Sequence, residues 1–141
     1  MLAPDVNVLV DTFREDSPHH ARVAPWWREV VVGDAPFALF EPVLAGFLRV
    51  VTHPRVFDPP APLDAALRFV AALREQPNAL VLRSGPRHVA LFERLCRAAD
   101  ARGNLIADAW LAALALEHGC TWVTSDRDYA RFPELDWRPP G

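Results

Sequence analysis

Residues 104–126 read NLIADAWLAALALEHGCTWVTSD, and this stretch decides the fold. Asn104 is a suitable N-cap for a helix over Leu105–His118, and Gly119 is suited to end that helix. An apolar strand over Cys120–Thr124 follows directly. A helix that runs straight into an apolar strand is typical of a parallel sheet covered by helices.

The same alternation of strands and helices continues through the rest of the chain. Strands are predicted at Met1–Asp5, Pro36–Phe40, Ala79–Leu82 and around Trp137. Helices are predicted from Ser17 to Val32, from Glu41 to Val51, from Pro62 to just before Pro77, and from Ser84 to Ala99. We therefore expect an α/β fold with three layers, α/β/α, around a central and mainly parallel sheet. The length fits a single domain over residues 1–141.

Composition and charge narrow the classes of protein to which this chain can belong. The net charge is −3, and all 15 basic residues are Arg. The chain as a whole therefore lacks the net positive charge that is expected of a stand-alone nucleic-acid binder, although Arg binds phosphate well. We expect a cytoplasmic protein with no membrane partner, because there is no secretion signal and no apolar run of membrane length. Cys96 and Cys120 are expected to be buried apolar residues.

Four acidic residues stand where apolar stretches end or where a helix begins: Asp5, Glu41, Asp108 and Asp126. Three of them follow a predicted strand, and the carboxyl ends of parallel strands meet at one edge of a sheet. Asp108 instead lies early on a helix whose Ala-rich face permits close packing. Clustered carboxylates next to a core call for a hard divalent cation. Taken singly, each acid is explained as a helix-start or turn residue.

Four segments carry a more specific resemblance. They are Asp5–Val10 (DVNVLV), Phe40–Glu41 followed by Gly46–Arg49, Asn104–Ala113, and Thr124–Tyr129 (TSDRDY). In this order they resemble the PIN-domain family, and within it the VapC-type toxins of bacterial toxin–antitoxin pairs. The resemblance implies a Mg²⁺- or Mn²⁺-dependent endoribonuclease. Its catalytic metal ligands would be Asp5, Glu41, Asp108 and Asp126, with Asp128 as an auxiliary acid.

The same resemblance implies partners and a reaction. A metal-activated water would cleave RNA, and a small antitoxin would neutralise the toxin by inserting a helix into an apolar groove. The toxin would be a homodimer. Candidate RNA contacts are Asn7, Arg49, Thr124 and Ser125, and a row formed by Arg87, Arg94 and Arg97 is either an RNA track or a solvated helix face.

Two prolines depart from the family pattern. Pro4 would remove a ladder hydrogen bond from the first strand, which must therefore be short or end there. Pro42 follows Glu41 where the family usually has an apolar residue.

Two other functions stay open from the sequence. One is a PIN-like binding module that has lost catalysis. The other is a haloacid-dehalogenase-like phosphatase, which has an early Asp and a late Asp pair. That second hypothesis is weaker, because Asn7 stands where a second Asp is expected and the chain contains no Lys.

Overall fold

A parallel sheet of five strands lies at the centre of the computed structural model, which describes all of residues 1–141. The strands are β1 (Leu2–Pro4), β2 (Phe37–Phe40), β3 (Ala79–Leu82), β4 (Thr121–Val123) and β5 (Trp137–Arg138). The helices are α1 (Val6–Phe13), α2 (His20–Val32), α3 (Glu41–Val51), α4 (Leu63–Arg74), α5 (His88–Ala99) and α6 (Asn104–Glu117). A 3₁₀ helix covers Arg127–Arg131.

The strand order is β3-β2-β1-β4-β5, and every neighbouring pair is parallel. The first three strands thus build the sheet outward in one direction, and the chain then returns to place β4 on the other side of β1. Helix α1 packs against α2 and α3, α3 packs against α4, and α5 packs against α6. The expected three-layer α/β/α architecture is confirmed, with a sheet that is entirely parallel.

Burial of the strand side chains explains why such short strands form a stable sheet. All four residues of β2 are fully buried. Helices cover a parallel sheet on both faces, so its strands are continuous apolar runs. Large aromatic side chains complete this core: Trp27 meets Phe37 edge to face, and Trp122 stacks on Phe40. No helix combines the length and the apolar character that crossing a membrane requires.

Pro4 is the last residue of β1, as its missing N–H requires. The Asp5 N–H donates to the Val123 carbonyl of β4 at 2.8 Å. Successive N–H groups point to opposite sides of a strand, so the absent donor of Pro4 lies on the β2 side. There β1 and β2 pair only at Leu2 and Phe37. The strand therefore ends where the first acidic residue begins.

Three helix starts differ from the prediction. Ser17 does not begin α2; its hydroxyl donates to the Asp11 carboxylate at 2.5 Å, and the helix begins at His20. Helix α5 begins at His88 rather than near Ser84, because the segment before it is held in an irregular turn by hydrogen bonds to Glu117. Asn104 is the first helical residue of α6 and not its cap.

Candidate metal centre

The acidic residues gather beyond the carboxyl ends of β1 and β4, where the direction of strand order reverses. Such switch points form the ligand crevice of parallel α/β sheets. Asp5 directly follows β1 and caps α1 by accepting the Val6 N–H at 2.7 Å. Only 6% of Asp5 is exposed. Asp126 follows β4 by three residues and caps the 3₁₀ helix, accepting the Asp128 N–H at 2.9 Å.

A polar network of Thr124 and Asn7 joins these two loops. The Thr124 hydroxyl donates to Asp5 Oδ2 at 2.7 Å and accepts the Asp126 N–H at 3.0 Å. The Asn7 amide donates to the same Asp5 oxygen at 3.1 Å and to the Thr124 hydroxyl at 3.0 Å. Its carbonyl oxygen accepts the Ser125 N–H at 3.1 Å. Neutral donors thus fix the buried carboxylate, and no Arg approaches it.

Three other carboxylates lie close enough to share one ion. Asp108, Asp126 and Asp128 each offer an oxygen, and these three oxygens lie within 4.8 Å of one another. Asp108 reaches the group from α6, where Ala109 and Ala113 are fully buried and allow the helix to pack closely. None of the three carboxylates has an Arg partner. Like charges this close repel each other unless a cation or a proton intervenes.

Burial and this repulsion together raise the pKa of Asp108 to about 6. Burial is the largest cause, the charges of Asp126, Asp5 and Asp128 add to it, and the Tyr129 hydroxyl opposes it by a smaller amount. Burial also raises the pKa of Asp5, and Asp126 adds to the rise, while Thr124 and the Val6 N–H oppose it. The four acids therefore form one electrostatic unit, although Asp5 stands behind the group of three.

Tyr129 is a site residue that the sequence analysis missed. It is buried beside Trp122, with ring centroids 5.7 Å apart. Burial raises the pKa of its hydroxyl, and the charges of Asp5, Asp108 and Asp126 raise it further. The signal was available, because Tyr129 is the only Tyr in the chain and lies three residues after Asp126, one turn along the 3₁₀ helix.

Glu41 lies apart from the group of three. It follows β2, as predicted, and its carboxylate accepts from Arg83 at 2.8 Å. The register explains the ion pair: Phe40 is paired with Leu82, so the next residues of the two strands stand side by side. The contact of Glu41 with Arg83 could not be predicted without the register of β2 against β3. Glu41 as a metal ligand stays a prediction.

The candidate RNA contacts differ in accessibility. Thr124 is fully buried, and its hydroxyl is bonded to Asp5, Asn7 and Asp126, so it orients the acids; as an RNA contact it stays a prediction. Ser125 is exposed and Asn7 half-buried beside it. Arg49 is exposed eight residues after Glu41 on α3, about 12 Å further along the axis.

The arginines at the start of α5 and along it are all engaged by protein groups. Arg94 pairs with Glu134 at 2.9 Å, Arg97 approaches Glu93 at 3.7 Å, and the Arg87 guanidinium donates to the Glu117 backbone carbonyl at 2.7 Å. These partners favour a solvated helix face over an RNA track.

The donor set fits a hard divalent cation. All the candidate ligands are carboxylate oxygens, with no thiolate or imidazole among them. Mg²⁺ and Mn²⁺ prefer such ligands, and Mg²⁺ needs only one or two carboxylates besides water. The raised pKa of Asp108 is the expected state of such a group without its cation.

The chain was compared with protein families, with curated proteins and with solved structures. The PIN domain family model matches residues 2–135. Ribonuclease VapC25 of Mycobacterium tuberculosis is 45% identical over 141 residues, covering 99% of both chains. Ribonuclease VapC43 of the same organism is 47% identical over 140 residues, covering 99% of this chain and 95% of the relative.

Among solved structures, the fold resembles the crystal structure of VapBC2 from Rickettsia felis bound to a promoter DNA fragment. The TM-score is 0.71 at 14% identity, over 99% of this chain and 98% of the other.

Proposed function

This chain belongs to the PIN-domain family, and on that premise we propose that it is a metal-dependent endoribonuclease toxin of the VapC type. The proposal covers residues 1–141 as one nuclease domain. The observation that carries it is the cluster of Asp108, Asp126 and Asp128 at the switch point of the sheet, without any cationic side chain to neutralise it. Relatives that are 45% and 47% identical are named ribonucleases, which supports RNA as the substrate.

Each acid has a distinct part in this proposal. Asp108, Asp126 and Asp128 would hold Mg²⁺ or Mn²⁺, and Asp5 would complete the negative field from behind them. When bound, such an ion supplies an activated water and positive charge for the leaving oxygen of the phosphodiester. Thr124 and Asn7 keep Asp5 and the loop of Asp126 in one fixed relation. Glu41 is included as a further ligand, provided that it releases Arg83.

An apolar groove supports an antitoxin as partner. It lies between α1, α2 and α4, has a volume of about 330 Å³, and is lined mostly by apolar side chains that include Phe13, Trp27, Val31, Phe69 and Leu73. An amphipathic helix can place its apolar face in such a groove. Solved neighbours of this fold include VapBC complexes, in which toxin and antitoxin are found together.

A homodimer is part of the same proposal. The edge strand β3 leaves Leu80 and Val81 exposed by 43% and 37%, and Val89 on α5 is exposed by 57%. An exposed apolar edge strand favours association. We place the action of the toxin in the cytoplasm, where RNA is accessible.

The decisive test is RNA cleavage by the purified chain. Cleavage should require Mg²⁺ or Mn²⁺, stop in a chelator, and be lost in Asp108→Asn. Asp34→Asn, an exposed Asp outside the site, is the matched control and should cut like the parent. If Asp108→Asn cuts as well as the parent, the activity belongs to another site or to a contaminant.

The same assay separates the alternatives. A binding module without catalysis would bind RNA or an antitoxin and never cleave RNA with any divalent ion. All the carboxylate positions are filled in this chain, which argues for the enzyme. The phosphatase hypothesis has no support, since the matching family model is the PIN domain and the relatives are named ribonucleases.

A further inference from the structure

A polar pocket borders the loop that carries Asp126. Its volume is about 320 Å³. Three parts of the chain build it: His19 and Arg22 at the start of α2, Ser125 and Arg127 in the loop after β4, and Trp137 on β5. Thr124 also borders it. No carboxylate lines this pocket, whereas the neighbouring metal centre is built of carboxylates.

The two arginines of the pocket keep their charge available. Six of the 15 Arg residues form ion pairs with an acid, and neither Arg22 nor Arg127 is among them. One nitrogen of Arg22 donates to the Pro140 carbonyl, which positions the guanidinium without neutralising it. Both side chains are exposed. Two free guanidinium groups in one recess form a site suited to a phosphate.

Trp137 adds an aromatic surface to this recess. It is half-buried on the outermost strand, and its backbone pairs with Trp122 of β4. Indole rings beside a basic groove are the usual platform for an unpaired base, since any base can stack on them. Two unpaired arginines beside an indole ring match a nucleotide, which offers a phosphate and a base together.

The position of the pocket links it to the proposed cleavage site. Thr124 borders the pocket and also donates to Asp5, and Arg127 of the pocket directly follows Asp126 of the acidic group. A chain of nucleotides that crosses this loop would present one phosphodiester to the acids and a neighbouring one to the arginines.

We propose that this pocket binds the nucleotide next to the cleaved bond in a single-stranded RNA, with its phosphate on Arg22 and Arg127 and its base on Trp137. The assignment rests on the proposed ribonuclease function and adds to it a subsite that holds the substrate in register. It also gives a chain of net charge −3 a local basic contact for RNA, because two arginines without acidic partners line this one pocket.

The test is RNA binding in a variant that cannot cut. With Asp108→Asn as the common background, the affinity for a labelled single-stranded RNA of about 10 nucleotides is measured by fluorescence anisotropy between about 50 and 200 mM salt. Arg22→Gln and Arg127→Gln should each lower the slope of log affinity against log salt by about 0.7, and weaken binding about fivefold near 0.1 M. Arg74→Gln is the matched control, because Arg74 is an exposed and unpaired Arg on α4.

Conservative variants separate binding from folding. Arg22→Lys keeps the charge and should keep the salt slope, even if the contact with Pro140 is lost. Trp137→Leu should weaken binding by about five- to a hundredfold with the salt slope unchanged, and Trp137→Phe should retain most of the affinity. Circular dichroism confirms that each variant is folded.

The outcomes are distinct. If the background protein binds RNA but the variants of Arg22 and Arg127 behave like Arg74→Gln, the pocket is not the subsite, and the ribonuclease proposal is untouched. If the background protein binds no RNA at any salt concentration, RNA as the substrate fails, and the subsite fails with it.

Discussion

Replacing Asp108 by Asn should stabilise the protein when no divalent metal is present, and abolish its activity when metal is present. The carboxylate of Asp108 is half-buried within 4.8 Å of those of Asp126 and Asp128. An amide of the same shape removes one of the repelling charges and keeps the packing. A substitution that improves folding while destroying a function marks a site whose geometry is stabilised by a ligand and not by the fold.

The magnitude follows from the pKa of Asp108. A rise from 3.8 to about 6 corresponds, at ~1.4 kcal/mol for each pKa unit, to a penalty of ~3 kcal/mol for the ionised form at neutral pH. Asp108 is only half-buried, and water screens part of the interaction. We therefore expect Asp108→Asn to raise the free energy of unfolding by about 1–2 kcal/mol in a chelator.

The pH dependence has a definite sign. The folded pKa of Asp108 lies above its unfolded value, so the protonated form is favoured by folding. That stabilisation is complete below about pH 4 and is lost as the pH rises through about 6. In a chelator the parent should therefore become less stable between about pH 5 and pH 7.5, and Asp108→Asn should lose less stability over this range.

The assay is urea unfolding with and without Mn²⁺, at both pH values. Mn²⁺ at a hundred times its dissociation constant should stabilise the parent by ~2.7 kcal/mol and stabilise Asp108→Asn much less. Asp34→Asn, outside the site, should behave like the parent throughout. The reasoning is refuted if Asp108→Asn is less stable than the parent in chelator, or if Mn²⁺ stabilises both proteins equally.

Substitutions at three further sites test the surrounding structure. Thr124→Val should destabilise the fold by about 1–3 kcal/mol, because the partners of the hydroxyl become unsatisfied, and Thr124→Ser should restore most of the loss in urea unfolding. Glu41→Gln should weaken Mn²⁺ binding measured by calorimetry if Glu41 is a ligand, whereas Arg83→Gln should not; both should change stability by less than ~1 kcal/mol, because the ion pair is exposed. Gly46→Ala would place a methyl group 2.9 Å from Val6 Cγ2 and should cost about 1–3 kcal/mol by overpacking; Val6→Ala in the same chain should recover it, and equal stability of the single and double variants would contradict this.

The architecture was predictable because its signals are local. Helix α3 and strand β3 have the bounds that periodicity and proline placement predict. The helix starts were less predictable. Ser17 and Asn104 both resemble N-caps, but Ser17 lies before α2 and Asn104 is the first residue of α6. Ser17 bonds to Asp11 six residues earlier, a contact that only the packing of α1 against α2 creates.

The site was predictable in part for a similar reason. Asp5 and Asp126 follow strands, and parallel strands bring such residues together whatever their distance in sequence. The pairing of Glu41 with Arg83 depends on the register of β2 against β3, which no local pattern encodes. Tyr129 and the pocket at Arg22, Arg127 and Trp137 depend on how the 3₁₀ helix and the last strand fold back, and that is decided by tertiary packing.

No ion pair in this chain neutralises the acidic residues of the candidate metal centre. Six ion pairs neutralise acids, among them Glu41, yet none involves Asp5, Asp108, Asp126 or Asp128. Asp5 and Asp126 are fixed by neutral donors and by helix starts, which set their positions and leave their charge uncompensated. The unpaired Arg22 and Arg127 line a separate pocket, and Arg127 directly follows Asp126 in the chain. In the proposed function a divalent ion would neutralise the acids, and the two arginines would bind a phosphate of the RNA. One substrate strand would then contact both the acids and the arginines beside the loop at residues 124–127.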